Sequence, residues 1–219
     1  MRIIDIKYTE IRTQVTEMMT LVEKQIEDSF HIFTKPDITI ARRVIRNEYK
    51  IDKYEFRINK NCEKFLAICT PVADDLRNIM EINNMLPSLE RISDITSKLA
   101  KYIKKYPEQL PESFYINIEL SDMLFQLLYM YKTVNECYTE NTTQKLQDVF
   151  IRDKEVDKIN KKAKKYVIEI IDTSTISTEQ LVNFLLILTQ LERMGDYIKA
   201  IAEEIYFGVE GIFMRHNHS

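Results

Sequence analysis

The stretches VIRNEYKIDK at residues 44–53 and LERISD at residues 89–94 matter most in this sequence, because each of them occurs twice. The first recurs as VFIRDKEVDK at residues 149–158, and the second recurs as LERMGD at residues 191–196. The two alignments need no gaps and shift by 105 and 102 residues. Two such similar shifts predict a chain built from two copies of one structural unit.

Each copy of these stretches contains two acidic residues four positions apart. The chain has seven such acidic pairs, but only four have matching neighbours in the other copy. The four pairs are Glu48/Asp52, Glu90/Asp94, Asp153/Asp157 and Glu192/Asp196. Residues i and i+4 lie on the same face of a helix, so two facing helices would bring four carboxylates together in each copy. Such a cluster is tolerated when cations neutralise it or when water surrounds it, and the duplicated pattern predicts a metal site in each copy.

The ligand chemistry narrows the choice of metal. Carboxylate oxygens favour hard cations such as Mg²⁺, Ca²⁺, Mn²⁺ or iron, and zinc stays open because it also accepts carboxylates. A di-iron oxidase of the ferritin type would need Glu-x-x-His on two helices, whereas this chain has only three histidines. His216 and His218 lie near its end, and His31, three residues after Asp28, is a single weak match. We interpret His31 as structural.

The composition predicts an all-α protein. Of the 219 residues, 45% are apolar and 30% are charged, as in soluble globular proteins, while only three are glycine and five are proline. Apolar residues at helical spacing predict six long helices. Their expected spans are 5–32, 38–69, 72–105, 114–138, 143–172 and 178–207. The segment 107–113, with two prolines, is the expected linker between a three-helix repeat at 1–106 and another at 114–219.

Single residues predict where these helices begin, bend and end. Asp37 is a suitable N-cap for the second helix, and Thr70 is a suitable stop because the residue before a proline avoids helical geometry. Pro87 should kink the third helix, since it removes one backbone hydrogen bond. Gly208 and Gly211 are expected to terminate the last helix.

The charge distribution argues against nucleic-acid binding. The net charge is −3, made of +3 for residues 1–106 and −6 for residues 107–219. One run of five lysines is more typical of a solvated helix face than of a surface for an acidic partner or a membrane. It consists of Lys158, Lys161, Lys162, Lys164 and Lys165.

The sequence gives no sign of secretion or of a membrane span. The start, MRIIDIKYTE, lacks the apolar segment of a signal peptide. The longest strongly apolar stretch is short, about the length of Phe184–Leu188. The cysteines Cys62, Cys69 and Cys137 are odd in number and form no C-x-x-C motif. We expect them to be reduced core residues of a cytoplasmic protein.

No catalytic motif stands out in this chain. A nucleophile elbow, a P-loop, a glycine-rich dinucleotide loop and a Ser/His/Asp cluster are all missing, so we do not expect an enzyme. Arg91 and Arg193 each follow a motif glutamate directly. We expect these arginines to support the acidic neighbours or the opposing helix rather than to bind a substrate.

At these motifs the chain resembles the PhoU family, the bacterial regulators of phosphate uptake and phosphate signalling. The family's acidic-x-x-x-Asp motif matches the first acidic pair of each copy, and its L-E-R-I-G-D motif matches LERISD and LERMGD. The sequence PVADDLR at residues 71–77 is similar to the family's helix-opening P-V-A-x-D-L-R. Two positions depart from the pattern: Ser93 stands where glycine is usual, and TIST at residues 175–178 replaces the second helix-opening turn.

The resemblance implies two three-helix bundles, each with a surface metal cluster, in a cytoplasmic protein. It implies contacts with a phosphate ABC transporter ATPase and a sensor histidine kinase, association with the membrane only through these partners, and repression of the phosphate-starvation response. Asp75 and Arg77 in the helix-opening turn are the candidate partner contacts. Asp74 and Asp75 are equally well explained as negative charge at a helix N-terminus. A homodimer is compatible with the sequence.

Two other functions stay open at this level. One is an accessory protein of a secondary phosphate transporter. The other is a carboxylate-bridged metalloprotein or metal store, against which the scarcity of histidine argues.

Overall fold

The computed structural model describes residues 3–212, which form seven α-helices and no strands. The helices are α1 (Ile3–Thr34), α2 (Ile38–Cys69), α3 (Ala73–Lys105), α4 (Glu112–Asn117), α5 (Leu120–Glu140), α6 (Leu146–Ile170) and α7 (Thr178–Glu210). The predicted all-α class is confirmed. So is the tandem arrangement of two helical bundles, α1–α3 and α5–α7.

The fourth predicted helix is wrong in one respect, because two helices occupy its span. The chain leaves helical geometry after α4, and Glu119, just before α5, adopts the left-handed region with φ 51°. Non-glycine residues seldom adopt this conformation, so the apolar pattern could not show the break. Aromatic packing holds the short α4 in place. Phe114 is buried, and the centre of its ring lies 5.0 Å from the centre of the Phe184 ring.

The ends of α2 follow the sequence closely. The carboxylate of Asp37 accepts hydrogen bonds from the backbone N–H groups of Thr39 at 2.7 Å and Ile40 at 3.1 Å, so the predicted N-cap is confirmed. The helix ends at Cys69, and Thr70 turns the chain with φ 44° before the proline. Further along, Pro87 lies inside α3 without ending it.

Only one of the two glycines predicted to terminate α7 does so. Gly211 caps the helix with φ 72°, and its N–H donates to the carbonyl of Phe207. The prediction for Gly208 is wrong, because this residue is buried within α7. A Cβ atom at position 208 would lie 1.9 Å from a carboxylate oxygen of Glu81, so glycine is needed there for the close approach of α3.

The two bundles are joined mainly by α3 and α7. These helices run antiparallel to each other, as cross-helix hydrogen bonds show along their length. The bonds join Asn84 to Glu204, Lys98 to Gln190, and Lys105 to Glu179. A second contact joins α1 to α5, where the buried hydroxyl of Tyr131 donates to the carbonyl of Met19. The apolar side chains of both bundles form one continuous core.

The state of the cysteines and the polarity of the helices were also expected from the sequence. All three cysteines are free, with Cys62 and Cys137 buried and Cys69 partly buried. Over residues 3–212, no helix is both long enough and apolar enough to cross a bilayer.

Candidate functional site

Acidic residues of α2 and α3 lie in electrostatic contact in the first repeat. Burial raises the pKa of Asp52, and the nearby charges of Glu48 and Asp94 raise it further. Burial also raises the pKa of Glu90, and Asp94 on the next turn of α3 adds to this effect. The four motif carboxylates therefore share one surface between the two helices.

Glu55 is a fifth member of this group that sequence reasoning missed. Burial raises its pKa and the charge of Asp52 adds to the increase, while Arg91 opposes it. Its position three residues after Asp52 places it on the same face of α2. The repeat comparison could not single it out, because the residue 105 positions further on is Asn160. We call Glu48, Asp52, Glu55, Glu90 and Asp94 the first cluster.

Few cations compensate the first cluster. The hydroxyl of Ser97 donates a hydrogen bond to Glu48, and the ammonium of Lys101 lies 3.6 Å from the same carboxylate. Arg91 lies 3.5 Å from Glu90. The side chains of Lys101 and Arg91 are more than half exposed, so both charges lie at the rim and water screens them.

The second repeat places a lysine between its carboxylates. We call Asp153, Asp157, Glu192 and Asp196 the second cluster. The ammonium of Lys199 donates to Asp153 at 2.6 Å and to Asp196 at 3.0 Å. Burial is the largest single influence and lowers the pKa of Lys199, but the two hydrogen bonds and the negative charges of Asp153 and Asp196 together outweigh it, so the pKa is raised. Burial raises the pKa of Asp157 and Asp153 adds to the increase, whereas Lys199 opposes it.

Two further side chains compensate Glu192. The ammonium of Lys164 donates to its carboxylate at 2.7 Å, and the amide of Asn160 donates to the same oxygen at 2.5 Å. The interpretation of the lysine run as a solvated face is therefore wrong for Lys164, which is only partly exposed. The other members of the run are exposed, as expected: Lys158, Lys161, Lys162 and Lys165.

The two clusters differ in how well they fit a metal ion. Over the described range, residues 3–212, no three side chains of His, Cys, Asp or Glu lie close enough together to hold one. The first cluster has the donor chemistry of a hard-cation site, but its side chains would have to turn toward one another. In the second cluster, the ammonium of Lys199 occupies the space between Asp153 and Asp196.

The remaining candidate ligands lie elsewhere. Asp28 is buried and accepts two hydrogen bonds from Arg43, at 3.0 and 2.8 Å, while His31 is exposed. Asp28 therefore has an ion-pair partner of its own, in keeping with a structural role for this part of α1. His216 and His218 fall outside the described residues. Arg193 is exposed on α7.

The helix-opening turn packs against the far end of the other repeat. Asp74 and Asp75 lie in the first turn of α3, and Arg77 lies 3.3 Å from Asp74. The guanidinium of Arg77 also lies close to the end of α7. A Cβ atom placed on Gly211 would be only 2.9 Å from it. Arg77 thus links the start of α3 to the end of α7.

This pair of helical repeats with duplicated acidic motifs matches a known family model. The model, described as the PhoU domain, matches residues 15–103 and again residues 120–205. The chain belongs to the PhoU family. Each match covers most of one bundle, and the two matches leave out the linker and the short α4.

Relatives of this PhoU-family chain are similar over most of its length. A protein from Borreliella burgdorferi, named phosphate-specific transport system accessory protein PhoU homolog, is 29% identical over 90% of both chains. The Escherichia coli phosphate-specific transport system accessory protein PhoU is 28% identical over 94% of this chain and 85% of its own.

Solved structures of the family share the fold. The crystal structure of PhoU from Pseudomonas aeruginosa superposes with a TM-score of 0.88 at 27% identity, covering 95% of this chain and 99% of its own. The crystal structure of a phosphate transport system regulatory protein PhoU from Streptococcus pneumoniae gives a TM-score of 0.85 at 22% identity, over 97% and 99% of the two chains.

Proposed function

We propose that this chain is a non-enzymatic accessory protein of a phosphate transport system and a negative regulator of phosphate-starvation signalling. The observation that carries the proposal is its similarity, over nine tenths of its length, to proteins named for the first of these roles. The acidic motifs support it, because they occupy equivalent helices of two repeats, and the sequence has no nucleophile elbow, P-loop or glycine-rich dinucleotide loop.

We propose further that it acts in the cytoplasm as an adaptor between a phosphate ABC transporter ATPase and a sensor histidine kinase. The start of α3 offers a surface for such a partner. Val72, Leu76 and Met80 recur every four residues and are 71%, 42% and 44% exposed. An exposed apolar row beside charged residues, here Asp75 and Arg77, is typical of a protein contact.

Gene deletion in the host tests the regulatory role. Without this protein, a reporter driven by a phosphate-starvation promoter should become active in phosphate-rich medium, and a plasmid-borne copy of the gene should silence it again. A reporter that stays repressed would contradict the proposal and would favour an accessory protein of a secondary transporter.

A substitution in the apolar row tests the adaptor role. Leu76→Asp places a charge in the row without removing a buried side chain, so it should abolish co-purification of the ATPase or the kinase. Leu186→Asp is the matched control, because Leu186 is also an exposed leucine, on α7, with 59% of its surface exposed against 42% for Leu76. Equal co-purification by both variants would contradict the proposed surface.

We also propose that the first cluster binds a hard divalent or trivalent cation, because its carboxylates repel one another without one. Glu48, Asp52, Glu90 and Asp94 would hold it, and the cation would neutralise the surface between α2 and α3. Asp52→Asn should lower the metal content of purified, tag-free protein, as measured by elemental analysis. Glu63→Gln removes a charge from an exposed position of the same helix and should not. Equal metal content in both variants would contradict this part of the proposal.

A further inference from the structure

In the alignment of the two repeats, Lys199 corresponds to an uncharged residue of the first repeat. Lys199 follows the motif aspartate Asp196 by three residues on α7. The equivalent position on α3, three residues after Asp94, is Ser97. Both residues lie on the helix face that carries the motif acids, one turn beyond the aspartate. The two repeats therefore differ by one full positive charge at the same place.

The contacts of the two residues differ accordingly. Lys199 lies within hydrogen-bond distance of carboxylates from both helices of its repeat, Asp153 on α6 and Asp196 on α7. The Asp153 side chain is only 7% exposed, and that of Lys199 is 27% exposed, so water screens this ion pair little. Ser97, which is uncharged, donates one hydrogen bond to Glu48, the first-repeat counterpart of Asp153.

Gly195 permits the close approach that Lys199 needs. A Cβ atom at position 195 would lie 3.2 Å from an oxygen of Asp153, which is tighter than ordinary contact. Glycine thus lets the short side chain of Asp153 reach the surface of α7. The first repeat has Ser93 at the equivalent position, and its hydroxyl donates to Gln25 instead.

We propose that Lys199 is a built-in cation of the second repeat, so that metal ions bind only at the first cluster. The inference rests on the metal-binding part of the proposed function, but it concerns which repeat can bind. An ammonium held by two carboxylates supplies one of the two positive charges that a divalent cation would bring, and it fills the space between them. The protein then has two equivalent motifs and one kind of metal site.

Exchanging the two residues tests this inference. The full-length protein, freed of metal with a chelator, is titrated with Mn²⁺ while free Mn²⁺ is followed by electron paramagnetic resonance. Ser97→Lys should weaken Mn²⁺ binding at least tenfold, whereas Ser97→Ala should leave it near the wild-type value. Lys199→Ser should add a binding site that a further Asp157→Asn substitution removes. Lys154→Ser is the charge-matched control, because it removes an exposed lysine and should add no site.

The outcomes separate this inference from the proposed function. Loss of wild-type Mn²⁺ binding on Asp157→Asn alone, or no gain from Lys199→Ser in a variant that still unfolds in one cooperative transition, would overturn the role of Lys199. If the wild type binds no Mn²⁺ but Lys199→Ser does, the metal part of the proposed function fails while the role of Lys199 stands. If Ser97→Lys does not fold, the comparison of wild type, Lys199→Ser and its Asp157→Asn double variant still decides the matter.

Discussion

The two repeats carry the same acidic motifs, but only the second repeat neutralises them from within. Three equivalent positions account for most of this difference. They are Ser97 and Lys199, Glu55 and Asn160, and Asn59 and Lys164. At each of them the first repeat is more negative by one charge than the second. A duplicated motif therefore does not imply a duplicated function, because neighbouring residues set the charge balance of each copy.

The difference has an energetic consequence for each repeat. In the first cluster, carboxylates face one another with only exposed cations nearby, so the folded state carries repulsion that protonation or a bound cation would relieve. In the second cluster, Lys199 and Lys164 provide this relief at all times. The predictions below change one repeat and use the other as the reference, in order of decreasing effect.

The largest expected difference concerns Glu81, whose counterpart Asn183 is uncharged. Glu81 is 6% exposed beside Gly208, and burial raises its pKa to about 8, an effect that Arg12 opposes and Glu204 increases. The folded protein therefore binds more protons than the unfolded chain between about pH 4.5 and pH 8. The free energy of unfolding should fall across this window, by on the order of 3–5 kcal/mol.

Glu81→Gln should remove this part of the pH dependence. Urea denaturation at about pH 5 and about pH 9 measures it as the change in unfolding free energy between the two conditions. Glu63→Gln, at an exposed position of α2, should keep the wild-type change. A wild-type pH dependence in the Glu81→Gln variant would show that the carboxyl is ionised in the folded protein without cost.

The sequence could predict features that depend on neighbouring residues, but not those that depend on how the helices pack. Helix ends such as the Asp37 N-cap depend on neighbouring residues and were predictable, whereas the left-handed Glu119 depends on how α4 packs and was not. The acidic motifs were found because they recur. Glu55, Lys164 and Lys199 were missed because each lacks a like residue in the other repeat, and only the packing of helices brings it to a cluster.

The second prediction removes the cation of the second repeat. Lys199→Met leaves the buried carboxylate of Asp153 without its partner and should lower the free energy of unfolding by roughly 2–3 kcal/mol at neutral pH. Lys101→Met removes a lysine beside the first cluster, at a position not related to Lys199 by the repeat, where the lysine is more than half exposed and 3.6 Å from Glu48. It should cost less than about 1 kcal/mol.

Urea denaturation in a buffer with chelator measures both costs, because the chelator keeps added metal from replacing the lost charge. Equal costs for the two variants would contradict the idea that the repeats neutralise their clusters differently.

The third prediction gives opposite signs in the two repeats. Glu90→Gln removes a like-charge neighbour of Asp94 and should stabilise the metal-free protein by about 0.2–0.5 kcal/mol at neutral pH. Glu192→Gln, the equivalent change, removes the charge that Lys164 contacts at 2.7 Å and should destabilise it by about 0.5–1 kcal/mol. Thermal melts at neutral pH and near pH 4 compare the variants with the wild type. The stabilising effect of Glu90→Gln should disappear near pH 4, where carboxyls take up protons. If Glu90→Gln instead destabilises the protein at both pH values, the result would count against repulsion in the first cluster.

The smallest expected effect concerns the two motif arginines. Arg91 lies 3.5 Å from Glu90 and opposes the rise in the pKa of Glu55, but it is 59% exposed, so its loss should cost only about 0.3 kcal/mol. Arg193 follows a glutamate that already has Lys164 and Asn160 as partners, and Arg193→Met should be neutral. Because Arg91 acts through Glu90, its cost should shrink when Arg91→Met is combined with Glu90→Gln, and a double-mutant cycle from urea denaturation measures this coupling. An equally large coupling between Arg193 and Glu192 would mean that the exposed arginine stabilises the second cluster as well. The two repeats would then differ only in how strongly exposed cations stabilise their carboxylates.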